Sequence, residues 1–459
     1  MRIAYLALAL VGLAQAGDFH TGQAARAVIG QSSFSARETG ISANALSLTG
    51  GKLYAAESNR ILEFDVANPC AICGLAPVSM VNQSVMRGVS AVAVLGKVVV
   101  IADAAGHRVL IWGSTTPSAG AIGPKQPDVV LGESIVDPVS VAYDGQRLFV
   151  GDASQHKVLI WNALPNTDDQ PADVVLGQSD SAPGAASVGT PAALVSDGKN
   201  LFVADTENRR ILVFSAGDID LSENDILNSA TLLPTPLAPG TLVTIHASGA
   251  TNGSEAAEPD GSGPLPTQLA GVEVYLNGAP LPLLSVSPDE IQAQLPYDLG
   301  SGSSASLYFR SLRNGGSVLV SSAAAVHLAP ASPGIFAIGK MEPRNGLLLH
   351  AGDEHDADGG PAKGAPITAD NPAAPGEKVT VWANGLGFLG DEADLPVHAM
   401  INGEPAEVVS ARLPRGAVGV YEVVIALPAR FAPGQQARLQ LVQNSVPSNT
   451  VTFPVQVSP

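Results

Sequence analysis

The segment Leu201 to Phe214, LFVADTENRRILVF, has three near-copies earlier in the chain: LFVGDASQHKVLIW from Leu148, VVIADAAGHRVLIW ending at Trp112, and LYAAESNRILEF from Leu53. In each, an apolar run rich in β-branched residues ends at an acid: Glu57, Asp103, Asp152 or Asp205. A polar turn follows, and a base (Arg60, Arg108, Lys157 or Arg210) opens a second apolar run. Two strands joined by a tight turn is what such a pattern encodes. A return interval of about 50 residues belongs to the blades of a propeller and is too long for helical solenoids. The acid is expected to accept backbone N–H groups of the turn, and the base to pair with it or with the next repeat. His107 and His156 hold equivalent positions, but Arg209 replaces them in the last copy, so they are expected to be turn residues rather than metal ligands.

Two further strands can be assigned to each hairpin. Short runs at Ala27–Gln31, Pro77–Asn82, Asp128–Glu133 and Asp173–Gln178 each precede one. Between run and hairpin lie Ala45–Leu48, Ser90–Leu95, Ser140–Asp144 and Ala193–Asp197, closed by turn pairs such as Asp144-Gly145 and Asp197-Gly198. Four antiparallel strands per repeat is a propeller blade, whose apolar faces are covered only by its neighbours. The pattern P-x-x-V-x-x-D-G, L-F-V-A-D, N-x-R-I-x-V-F, clearest over Pro191–Phe214, resembles the NHL type of propeller repeat over residues 25 to 216. NHL propellers commonly carry five or six blades, and this chain departs from them in showing four repeats, so that either a ring of four or a partial ring completed by another chain or the following domain is expected.

The period stops after Phe214, and a polar linker is expected over 218–229. A different pattern then occurs twice. LAPGTLVTIHASG, ending at Gly249, matches AAPGEKVTVWANG, ending at Gly385, and VEVYLNGAP from Val272 matches VHAMINGEP from Val397. Alternating runs such as Ala437-Arg-Leu-Gln-Leu-Val442, broken by Asn-Gly and Pro-Gly turns, predict two antiparallel sandwiches of immunoglobulin-like type, at 230–332 and 333–459. No Cys-Trp-Cys signature accompanies them. The motifs VSPDEIQAQLPY (286 to 297), Ser332-Pro-Gly-Ile-Phe336 and Ser448-Asn-Thr-Val-Thr452 resemble an uncharacterised C-terminal domain family of acidobacterial secreted proteins. That resemblance implies a fold and a setting but no activity.

Composition narrows the function classes. With 48 Gly and 35 Pro in 459 residues, interspersed with valine-rich runs, the expected class is all-β. Arg2, the apolar run Ile3–Leu13 and Ala14-Gln15-Ala16 form a signal-peptide pattern over 1–16, with the mature chain at 17. A secreted, periplasmic or cell-surface protein without a transmembrane segment is expected. The net charge of −18 argues against nucleic acid and anionic membranes as partners, leaving protein or glycan. The only cysteines, Cys70 and Cys73, lie between Pro69 and Gly74 with no helical pattern behind them. A local disulfide is the expected state in an exported chain, with free thiols and redox or metal chemistry as alternatives.

No G-x-S-x-G, H-E-x-x-H, Walker or dinucleotide motif is present. The most chemical stretch is Asp353-Glu-His-Asp-Ala-Asp-Gly-Gly360. Asp353, Asp356 and Asp358 before the glycines could wrap Ca²⁺, although the loop lacks the remaining positions of an EF-hand and a solvated acidic loop is the plainer reading. No other cofactor is implied. The expected function is a non-catalytic binding or scaffold protein, the propeller presenting a ligand surface and the sandwiches acting as spacers or attachment modules. The alternative is a propeller hydrolase or lyase with a metal at the axis.

Overall fold

The computed structural model describes residues 21–25, 27–29, 33–35, 45–49, 52–56, 61–65, 87, 89–95, 98–113, 126–177, 183–257, 264–313, 315–339, 342–351, 364–387, 395–431 and 436–456. Glu57, Arg60, Cys70, Cys73, Asp353, Asp356 and Asp358 lie outside the described residues, as do residues 1–20 and so the signal-peptide pattern. The described chain is all-β, with strands in antiparallel sheets apart from the parallel pair Arg344–Gly346 and Val451–Phe453, and two short 3₁₀ turns. No helix among the described residues is long and apolar enough to cross a membrane.

The first hairpin, Lys52–Ala56 with Ile61–Asp65, is joined by Ala45–Thr49 in a sheet of three described strands, and each of the other three forms the middle of its own four-stranded sheet. The second pairs Val98–Asp103 with Arg108–Trp112, the third Leu148–Asp152 with Lys157–Trp161, and the fourth Asn200–Asp205 with Arg210–Ser215. The preceding segments, Val89–Leu95, Pro138–Tyr143 and Pro191–Ser196, add a strand on one side. Their turns close as the Asp-Gly pairs require: Asp144 and Asp197 each accept two backbone N–H groups with Oδ1, and Gly145 and Gly198 take left-handed φ.

The fourth strand is assigned differently from the sequence expectation. Val129–Leu131 pairs with Arg108–Trp112, and Val174–Leu176 with Lys157–Trp161, so each short run completes the hairpin before it and not the one after. The first short run, Ala27–Ile29, therefore has no hairpin before it, and it pairs antiparallel with Arg210–Ser215 at the far end of the repeats, Ala27 opposite Val213. The four sheets sit side by side. The strands of Val89, Pro138, Pro191 and Ala45 adjoin one another in that sequence, so that the last sheet meets the first. Gly151 shows how close the neighbours come, since a Cβ there would lie 2.2 Å from Ser140 Oγ and 2.7 Å from the Pro191 carbonyl.

The stretch expected to be a linker is built into the next unit. Asp218 N donates to the Val320 carbonyl, Leu221 is buried in the second core, and Ile226–Asn228 is a strand paired with Leu242–His246. Its polar side chains are spent on backbone, as when Asp218 Oδ2 accepts Val320 N. Polarity marked a linker in the sequence, whereas here the exposed Asp218 also satisfies the backbone of a neighbouring strand.

Residues 226–327 form two sheets around one core. One contains Leu242–His246 and Glu290–Gln294, the other Val272–Leu276 and Ser304–Leu312. Inward positions alternate, as in Val272, Val274 and Leu276, the period-2 pattern of a strand buried on one face. The C-terminal unit wraps its sheets more continuously. The strand Glu404–Arg412 pairs with Val397–Ile401 through its first residues and with Tyr421–Ala426 through its last, bending at a bulge between Val408 and Ser410.

The internal duplication is visible in one turn. Asn277 and Asn402 both take left-handed φ at the head of a hairpin. Asn277 N donates to Ser306 O, while its Oδ1 accepts Ser306 N at 2.9 Å. Asn402 does the same with Arg438 O and N. Where the copies differ, the difference joins them. Asn384, at the place of Ser248, accepts Leu242 N and donates to Leu242 O and Asn228 Oδ1, so that its side-chain amide takes the part of a strand neighbour. Arg344 donates from the other side to the Ala230 and Thr231 carbonyls.

Candidate functional site

Three places deserve scrutiny as sites: the acid–base turns of the hairpins, the line of adjoining strands in the first half, and the concave surfaces.

The turns are occupied by structural bonds. Asp205 is fully buried; its Oδ2 accepts Arg210 Nε at 2.9 Å and Asn208 Nδ2, and its Oδ1 accepts Gly189 N. The Arg210 guanidinium, also buried, donates to the carbonyls of Phe34, Gly184 and Ser187. One side chain thus fixes a hairpin, the loop before it and the N-terminal segment. Asp103 repeats the pattern with Arg108 Nε at 2.8 Å and Arg87 N. Asp152 accepts Val136 N, Asp137 N and both the backbone and side-chain N–H of Gln155, the glutamine holding the place of Asn208 in the last copy.

His107, His156 and Arg209 all sit at left-handed φ and close their turns by donating N–H to the residue three back. The rings reach into the following repeat, His107 Nδ1 to the Val136 carbonyl and His156 Nδ1 to the Gly189 carbonyl. Among the described residues no three His, Cys, Asp or Glu side chains are grouped so as to hold a metal ion.

Along the adjoining strands the chain carries small hydroxyls. Ser90 Oγ donates to the Pro138 carbonyl and Ser140 Oγ to the Pro191 carbonyl, one repeat onward in each case. These bonds tie successive sheets together.

One groove runs between the first half and the next unit, past Ser187, Ser303, Ser304 and Ala325 to His327. Ser304 Oγ accepts Ala185 N and Ser187 Oγ accepts Gly184 N, so its hydroxyls also hold loops. His327 Nε2 stands 3.7 Å from Glu223 Oε2, both side chains more than half exposed.

A larger concavity, about 870 Å³, opens on the outer face of the C-terminal unit. Strand register explains it. Arg438 lies opposite Thr452 and next to Asn402, and Thr452 lies opposite Asn345. One rung across four strands therefore reads Asn402, Arg438, Thr452, Asn345. Two residues along, Met400 lies opposite Gln440, and continuing the same registers brings in Thr450 and Pro343. The second rung reads Met400, Gln440, Thr450, Pro343. The alternation that buries Leu439, Leu441 and Val451 in the core turns Arg438, Gln440 and Thr450 outward.

The polar atoms of these rungs are only partly committed. Thr452 Oγ1 donates to Asn345 Oδ1, and Gln440 Nε2 to the Ser448 carbonyl. Arg438 is exposed and pairs with no carboxylate among the described residues, and no acidic residue lines the concavity. None of these residues carries a recognisable motif. The outward phase of Ala437-Arg-Leu-Gln-Leu-Val442 was legible in the sequence, but the strands that flank it were not.

No protein-family model matches this chain, and no curated protein does. Among solved structures it is similar to the extracellular domain of a protein described as a hybrid two component system from B. thetaiotaomicron, at 9% identity and a TM-score of 0.18, over 95% of this chain and 60% of that one. The chain thus spans 60% of the length of that structure, and a likeness at this score assigns neither fold nor function.

Proposed function

We propose that this is an exported, non-catalytic binding protein in which the first half is a four-bladed propeller of NHL type, closed by its own N-terminal strand, and the two following units are immunoglobulin-like sandwiches. The pairing of Ala27–Ile29 with Arg210–Ser215 supports a ring fastened by its first and last strands. The acids and bases of the hairpins serve as clamps in this reading, and the serines of the adjoining strands as ties between blades.

The observation that carries the functional part is the two-rung face of the C-terminal unit. It is concave, no acid is among its described lining residues, and it lies on strands and their tight turns, which gives a binding surface a fixed geometry. The ligand surface is accordingly placed on the C-terminal unit, with the first half as a rigid body that positions it. The partner is a glycan or protein of the cell envelope or its surroundings.

The test is an array of neutral and acidic glycans, peptidoglycan fragments and envelope proteins, probed with the purified chain and with Met400→Glu/Gln440→Ala, which puts a carboxylate on the face and removes one of its amides. Binding that disappears in the double variant at an unchanged melting temperature is the expected result. Binding that persists unaltered would place the ligand surface elsewhere and end this reading.

A further inference from the structure

The two rungs differ in chemistry, and the difference points to a kind of ligand. Four strands at roughly 4.8 Å make a patch about 14 Å across, wide enough for a short oligosaccharide laid across the strands. In the first rung Arg438 offers a planar fork of N–H donors. Beside it Asn402, whose Oδ1 already accepts Arg438 N, presents its Nδ2 donors. In the second rung Gln440 has committed Nε2 to Ser448 O and retains Oε1 as an acceptor, next to the Thr450 hydroxyl. Met400 and Pro343 close its two ends with apolar surface.

A single cation flanked by amides and hydroxyls does not suit a nucleic acid, which needs several phosphate contacts. Nor does it suit a protein hot spot, for which buried aromatic anchors are the usual core. It does suit a hydroxyl-rich chain with one carboxylate. The net charge of −18 disfavours a polyanion, but the C-terminal unit is locally different. From residue 333 onward there are 8 bases against 13 acids, and 7 of those acids fall in the two stretches Asp353–Asp358 and Asp391–Asp394. The rest of the unit therefore carries more bases than acids, and no acid is among the described residues that line the concavity with Arg438.

We propose that this face binds an oligosaccharide carrying an isolated uronate, with Arg438 forking the carboxylate and the Asn402, Gln440 and Thr450 side chains meeting neighbouring hydroxyls. This rests on the reading of the face as a ligand surface and names the chemical class that surface takes. Bidentate guanidinium–carboxylate pairing is the strongest hydrogen-bonding mode available to it, and it discriminates by geometry as well as by charge.

The experiment is titration calorimetry of the full chain against a panel of oligosaccharides bearing one uronate each, every member paired with its carboxyl-reduced form. The same titrations are run on Arg438→Gln, Arg438→Lys and Met400→Glu/Gln440→Ala. Expected is binding of at least one uronate ligand about tenfold or more tighter than its reduced partner. Arg438→Gln should abolish that difference, while Arg438→Lys recovers part of it. Raising salt should weaken only the uronate form. Equal affinity for the two forms, or a preference indifferent to Arg438→Gln, overturns the proposal. If the double variant still abolishes binding in that case, the face remains a ligand surface and only the uronate assignment falls. Absence of binding by every uronate ligand also overturns it.

Discussion

Arg210, Arg108 and Lys157 occupy one position in three copies of the same hairpin, but the fold treats them unequally, and replacement of each by methionine turns that inequality into a measurement. Arg210 is wholly buried and bonds Asp205 at 2.9 Å together with three carbonyls, those of Phe34, Gly184 and Ser187. Removing it strands a buried carboxylate, which costs about 3–5 kcal/mol. The three carbonyls lose their donor at about 1 kcal/mol each, so the total is on the order of 6 kcal/mol. Against a net stability of roughly 5–15 kcal/mol this is a large fraction, and at about 2–4 °C per kcal/mol the first half should melt 12 °C or more lower.

Arg108 makes the equivalent bond at 2.8 Å, but its side chain is 31% exposed, so water replaces part of what is lost. About 1–2 kcal/mol and a few degrees are expected. Lys157→Met should fall within about 0.5 kcal/mol of the parent, because Asp152 already accepts four N–H donors from Val136, Asp137 and Gln155. Calorimetry with tryptophan fluorescence reads this directly, since Trp112 and buried Trp161 lie in the first half and only Trp382 in the C-terminal unit. Equal shifts for Arg210→Met and Arg108→Met would refute the argument that burial, and not the acid–base pair as such, sets the cost.

Other outcomes follow from single contacts. Gly240 and Gly376 are equivalent in the two copies and both take left-handed φ, but a Cβ on Gly240 would lie 2.3 Å from the Tyr297 ring and one on Gly376 would meet nothing within 4 Å. Alanine should cost about 1–2 kcal/mol at Gly376 and about 1–3 kcal/mol more at Gly240, as read by denaturant unfolding. The backbone N–H groups of Glu133 and Gly132 hold the Asp169 carboxyl below the ordinary carboxylate range. A depressed folded pKa stabilises fully above the unfolded value, near 4, and that contribution is lost as pH falls through the folded value. Protection of the Gly132 and Glu133 amides from exchange should therefore weaken only in acid below about pH 4, and Asp169→Asn should remove that pH dependence. Asn277→Ala and Asn402→Ala should each cost about 1 kcal/mol, through the lost bond to Ser306 N or Arg438 N and the left-handed φ; a neutral result at either would contradict the shared turn.

The local features were written in the residues themselves. The hairpins, the Asp-Gly and Asn-Gly turns and the doubled pattern of the second half depend on contacts between residues close in sequence, where alternation and turn chemistry suffice. Pairing at long range was not so determined. A three-residue run such as Val129–Leu131 can hydrogen-bond to the hairpin before it or the one after, and only the tertiary structure selects the former, as it selects Val213 for the partner of Ala27. The polar stretch after Phe214 looked like a linker because composition does not say whether Asp218 faces water or the Val320 amide. Arg210 and Arg108 are likewise indistinguishable as letters, and burial by the Phe34 and Gly184–Ser187 segments separates them. The two-rung face has the same origin. Alternation turns Arg438 and Gln440 outward, but Asn402, Thr452 and Asn345 come alongside only because strands up to about 100 residues apart are held in register by a core they share.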